Sequence, residues 1–140
     1  MQAQYLMKDP YETYREQGVL TAGPMELILM LYNGIHKNLV LAKRDMEHKD
    51  TESAHNRLIK TQNIVHELLN SLDMSFSISH DLMAIYDYML YSLANINATK
   101  NADDVDPLLG IADTLREAWQ EANKLQKSGL EPVGLYAAEE

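Results

Sequence analysis

Apolar residues recur at alternating steps of four and three along four stretches of the chain. The first stretch carries Ile28, Tyr32, Ile35, Leu39, Ala42 and Met46, and the second Ala54, Leu58, Thr61, Val65, Leu68 and Leu72. The third carries Leu82, Tyr86, Met89, Leu93 and Ile96, and the fourth Val105, Leu108, Ala112, Leu115, Trp119 and Ala122. Such spacing lines up one face of a helix, and the resulting stripe is the inner seam of a bundle. No stretch alternates with period two for long enough to compete as a strand.

The junctions between these stretches have local causes. Pro24 suits a first helical position, where its missing N–H has no intrahelical partner to lose; Gly23 then falls at the cap. Asp50-Thr51 separates the first two helices and makes that turn very tight. The polar residues 73–79 end the second helix, with Ser77 or Ser79 able to cap the third. Residues 97–104 end the third, with Asp103 or Asp106 able to cap the fourth. Short junctions force neighbouring helices antiparallel. The expectation is an all-α fold, an antiparallel up-down four-helix bundle over residues 24–127. An N-terminal arm (1–23) carries a short helix near residues 10–16, and an irregular C-terminal tail spans 128–140. The tail contains Gly129, Pro132 and Gly134 yet holds Leu130, Val133, Leu135 and Tyr136.

Three stretches exceed what one core requires, the third being the fourth helix, which adds Ile111, Ala118 and Leu125 beside its seam. A bundle helix needs about three apolar positions in seven. Residues 27–32 are apolar for nearly two turns, and residues 85–91 are interrupted only by Asp87. Two readings follow. The arm and tail cover these second faces, or the faces form a groove for a partner, a use to which Met and Tyr are suited. An amphipathic helix laid in such a groove is a common recognition mode.

Composition narrows the chemistry. Twelve Lys and Arg against twenty-one Asp and Glu leave a net charge of −9, which argues against nucleic acid and anionic membranes. The chain has no Cys, which excludes disulfide scaffolds, thiol catalysis and Cys-ligated metals. No apolar run is long enough to cross a bilayer, and no secretory leader is visible, so a cytosolic protein is expected. A di-iron bundle needs paired Glu-x-x-His motifs at mid-bundle. Glu52 and His55 make one such motif at the start of a helix, and Asp45 with His48 has similar spacing at the end of another. None of the five histidines has the Lys three residues on that a phosphotransfer bundle would use. No catalytic, metal or cofactor site is therefore expected.

The ordered motifs resemble a known family. Residues 20–24, Leu-Thr-Ala-Gly-Pro, followed by Glu26-Leu27-Ile28-Leu29-Met30-Leu31-Tyr32-Asn33-Gly34, are similar to the start of the flagellar secretion chaperone family FliS. Gln62-Asn63-Ile64-Val65 with Ser71-Leu72-Asp73, then Tyr86-Asp87-Tyr88-Met89, then residues 115–122 around Trp119, resemble its later helices. Leu90-Tyr91-Ser92 stands where the family often has paired Arg, and Ser75-Phe76-Ser77-Ile78-Ser79 where a Gly-Gly turn is common. The resemblance implies a non-enzymatic cytosolic chaperone that binds the C-terminal segment of flagellin. It also implies delivery to the cytoplasmic domain of the export gate protein FlhA. It assigns Tyr14, ten residues before Pro24, to arm closure and gate docking. For groove walls we expect Leu29, Met30, Tyr32 and Tyr88, each of which also fits core packing, Tyr32 most directly because it lies on a seam. The tail around Leu130 to Tyr136 is expected to cover part of the groove when no client is bound. The competing readings are an adaptor or co-chaperone of the same fold for another client, and a phosphotransfer or metal-binding bundle.

Overall fold

A proline at residue 24 opens the first helix, as its fixed φ and absent N–H favour. In the computed structural model, which describes residues 24–127, helix α1 spans Pro24–Glu47. Helices α2 and α3 span Thr51–Asn70 and Ser77–Thr99. A 3-10 turn at Ala102–Asp104 leads directly into α4, Val105–Lys127. The expected arm helix, Tyr14 and the apolar tail lie outside the described residues.

The turns differ in detail from the sequence-based expectations. Thr51 is already helical. The α1–α2 reversal is made by Lys49, at a left-handed φ of 62°, and by Asp50, whose carboxylate accepts the Ser53 N–H at 3.2 Å. That is an N-cap, satisfying one of the orphan donors of the first turn. Neither Ser77 nor Ser79 caps α3: Phe76 occupies the cap with no side-chain bond. Ser79 instead turns inward, buried, and its hydroxyl donates to the Asp73 carbonyl at 2.6 Å. Asp73 accepts from both the N–H and the hydroxyl of Ser75, at 3.0 and 2.7 Å. Those bonds, the hydroxyl first, hold its carboxyl below the ordinary aspartate range. Neither Asp103 nor Asp106 caps α4. Asn101 caps the 3-10 turn by accepting the Asp103 N–H at 3.0 Å, and the turn runs on into the helix.

The four helices form the up-down bundle that the periodicity predicts. Helix α1 is its spine, packing broadly against α2 and α4, and α2 packs against α3. The seams are where the spacing puts them. Ile35, Leu39, Ala42, Ala54, Val65, Leu68, Tyr86, Met89 and Val105 are completely enclosed. Thr61, the polar residue on the second seam, is enclosed too, and its hydroxyl is satisfied by the Arg57 carbonyl at 2.9 Å. Leu115 and Ala122, at the end of the fourth seam, are only partly covered.

Polar rungs fix the α1–α4 register. Arg116 donates to Asn33 at 3.3 Å, His36 Nδ1 lies 2.9 Å from Asp113, and Lys43 donates to both Asp106 oxygens at 2.9 and 3.0 Å. Positions rise along α1 as they fall along α4, so the two helices run antiparallel. The hydrogen bond to Asp106 holds the Lys43 ammonium above its usual range, against the opposing effect of desolvation. Both groups are solvent-facing, so the pair contributes register more than stability.

Candidate apolar groove between α3 and α4

Among the described residues one seam of the bundle stays open. Helices α3 and α4 barely touch, in contrast to the broad contacts that α1 makes on either side. Their link runs through a third helix. Tyr32 of α1 shares a hydrogen bond with the Tyr86 hydroxyl of α3 and accepts from Trp119 Nε1 of α4 at 3.2 Å. All three side chains are buried, so this triad satisfies polar tips that would otherwise be costly to enclose. It also places bulky rings between α3 and α4 on the core side. On the solvent side the gap becomes a groove.

The groove has a volume of about 710 Å³. Ala84, Ile85 and Tyr88 of α3 form one wall, and Pro107, Gly110, Ile111, Thr114 and Leu115 of α4 form the other. Beyond Tyr88 and Pro107 it narrows into a more polar extension of about 280 Å³. Tyr91, Ser92, Asn95 and Ile96 of α3 line this end, facing Asp104 and Leu108. Tyr88 and Tyr91 are 55% and 66% exposed, values that set them apart from the enclosed Tyr32 and Tyr86. Small residues keep the channel open. Gly110 sits inside a helix, where glycine is less favourable than alanine by about 1 kcal/mol. A Cβ built at that position would meet nothing within 4 Å. Packing therefore does not require glycine there.

The residues expected as groove walls are distributed unevenly. Tyr88 lines both parts of the groove. Tyr32 does not: it is 1% exposed, and the expectation for it is corrected to core. The cause is its hydroxyl, which finds two partners inside and so removes the penalty for burying the ring edge-on. Leu29 and Met30 are half-buried on α1 and lie away from the α3–α4 lining, with Leu29 packed against the core. Tyr14 is outside the described residues. Ile111, read from the sequence as surplus beside the fourth seam, lines the groove, whereas sequence reading missed Gly110, Pro107 and Thr114. A glycine in mid-helix with no turn to make was the available signal.

Among the described residues no group of three His, Cys, Asp or Glu side chains is placed to hold a metal ion. His55 of the isolated Glu-x-x-His motif instead bonds Asn97 of α3 at 3.0–3.2 Å. No helix among the described residues is long and apolar enough to cross a membrane.

Comparison with known proteins identifies the class to which this helical bundle belongs. The family model "Flagellar protein FliS" matches residues 7–126. The flagellar secretion chaperone FliS of Bacillus subtilis is 37% identical over 116 residues, 83% of this chain and 87% of the relative. That of Salmonella typhimurium is 31% identical over 109 residues, covering 76% and 81%. A solved structure titled "Crystal structure of flagellar chaperone from bacteria" superposes with a TM-score of 0.68 over 81% of this chain and 94% of its own length. At 16% identity that likeness bears on the fold. The chain belongs to the FliS family of flagellar secretion chaperones. It is a chaperone and not an enzyme.

Proposed function

We propose that this chaperone binds the C-terminal segment of flagellin in the bacterial cytosol. Held there, the segment cannot polymerise before export, and the complex is passed to the cytoplasmic domain of FlhA. The observation that carries this reading is the open apolar groove between α3 and α4 in a chain of the FliS family. A monomer gains nothing in stability from leaving Tyr88 and Tyr91 exposed. Covering a few hundred Å² of such surface at about 25 cal/mol per Å² gives several kcal/mol of gross driving force toward ordering a disordered client. Tyr88 is the groove wall we retain. Leu29 and Met30 offer a second patch on α1 for a client long enough to wrap the bundle, and Tyr14 on the arm is the candidate for gate docking.

Calorimetry of the full chain against a flagellin C-terminal segment tests the reading. Tyr88→Ala should weaken binding about ten-fold, as loss of a central aromatic contact does, while leaving the melting temperature within a degree or two of the parent. Absence of binding to the segment would defeat the proposal. Unaltered affinity in the variant would move the client away from this groove.

A further inference from the structure

Charge is spread unevenly along this acidic chain. Residues 37–60 carry six Lys and Arg against four Asp and Glu, whereas the remainder carries six against seventeen. That basic segment runs from the second half of α1 into α2. Because α1 packs against α2 and α4, and α2 against α3, the α1–α2 seam lies across the bundle from the α3–α4 groove. At its corner is a separate pocket of about 420 Å³, lined by Leu41, Arg44, Asp45, His48, Asp50 and Arg57. Its two carboxylates are already engaged. Asp50 accepts the Ser53 N–H at the cap of α2, and Asp45 accepts the Ser53 hydroxyl at 2.6 Å and lies 3.5 Å from Arg57 Nε. The two guanidinium groups are less well supplied. Arg57 Nε is buried without a hydrogen bond, and the exposed Arg44 side chain has no partner among the described residues. Apolar surface adjoins the charge. Val40 is 42% exposed and stands one turn before Arg44 and one turn after Lys37, which is exposed too.

We infer that this corner is a second docking surface, which takes an acidic segment of a protein partner whose Asp or Glu side chains flank an apolar one. One carboxylate sits between Arg44 and Arg57, whose planar forks match it. The apolar side chain covers Leu41 and Val40, and a further acid meets Lys37. The surface suits a protein segment better than nucleic acid. It is short, it includes apolar area that phosphates do not use, and the rest of the chain repels a long polyanion. The inference does not depend on what fills the α3–α4 groove. The two surfaces lie on opposite sides of the bundle, so a client and a second protein can be held together.

Two peptides test this, sharing the same apolar residues and carrying either Glu or Lys between them. They are titrated into the full chain by calorimetry, with amide shifts followed by NMR. Net charge alone favours the Lys peptide, and this surface should reverse that order. The Glu peptide should bind about ten-fold more tightly and lose the advantage as salt is raised. It should shift amides within residues 37–60 and leave those from Ala84 to Tyr91 in place. Replacing Lys37 and Arg44 together by Gln should weaken the Glu peptide about ten-fold. The melting temperature should stay put, since both side chains are exposed. Preference for the Lys peptide, shifts confined to the α3–α4 groove, or indifference to the double substitution overturns the inference. So does equal affinity for a DNA duplex, which would show a surface that reads charge alone. Sedimentation showing that Lys37 and Arg44 instead hold a second copy of the chain overturns it as well. Failure of the flagellin segment to bind defeats the proposed function and leaves the two-peptide result to decide this inference.

Discussion

Residues 27–32 and 85–91 look alike in sequence and end differently in the fold. Both are nearly continuous apolar runs, and both contain Tyr. In the first, Leu27, Ile28, Leu31 and Tyr32 are all buried, because α1 is flanked by α2 on one side and α4 on the other. In the second, Tyr86 and Met89 are enclosed while Tyr88 and Tyr91 stand in solvent, because α3 has a broad neighbour only in α2. Excess hydrophobicity in a helix therefore has two destinations. A central helix spends it on two neighbours, and a peripheral helix leaves it facing a gap.

The largest expected effect separates the two kinds of tyrosine. Tyr32→Ala should destabilise the fold by about 3–5 kcal/mol, the range for truncating a buried aromatic ring. Tyr88→Ala should stay within about 0.5 kcal/mol of the parent in the same urea titration. Equal losses at the two positions would erase the distinction between packed and open seams. Tyr32→Phe comes next. It keeps the ring but removes the hydroxyl that Tyr86 and Trp119 both use, and about 1–3 kcal/mol should be lost. A neutral outcome would mean the triad is incidental to holding α3 and α4 to the spine.

On the open side the sign should reverse. Gly110→Ala should stabilise by about 0.5–1 kcal/mol, from helix propensity alone, since the added methyl enters empty space. Destabilisation in thermal melts would show that the groove floor is not open there. The smallest effect concerns the turn leading into the exposed helix. The Asp73 carboxyl is held below its ordinary range by the Ser75 hydroxyl and N–H. Its contribution is thus complete above the usual aspartate value of about 4 and is lost as pH falls through the lowered value. Asp73→Asn should flatten that part of the acid limb by slightly lowering stability above about pH 4, with the acid end little changed.

Much of the fold was legible because a bundle is specified by periodicity. Ile35, Leu39, Leu58, Val65, Leu93 and Leu108 are predicted from spacing and found buried. The caps were less legible. Ser77, Ser79, Asp103 and Asp106 all have the right side chains, but Phe76 and Asn101 hold the positions because inward packing of Ser79 and the 3-10 turn shift the helix starts. The groove was legible as a surplus but not as a location. Spacing shows that a helix has two apolar faces, and only assembly decides which one finds a neighbour. Tyr32 was misplaced for that reason, and its pairing with Trp119 joins residues far apart in sequence. Gly110 went unread because a glycine within a helix indicates a need for space without saying what will use it.

The burial of Trp119 has a practical consequence. The sequence contains a single tryptophan, and its indole N–H is bonded to Tyr32 deep in the bundle, not in the channel. Its fluorescence is therefore a gauge of the spine's integrity. Unfolding should move the emission to longer wavelength. A ligand without tryptophan that fills the groove should leave the emission nearly where it was. One optical signal can thus report whether a substitution has emptied the channel or dismantled the wall behind it.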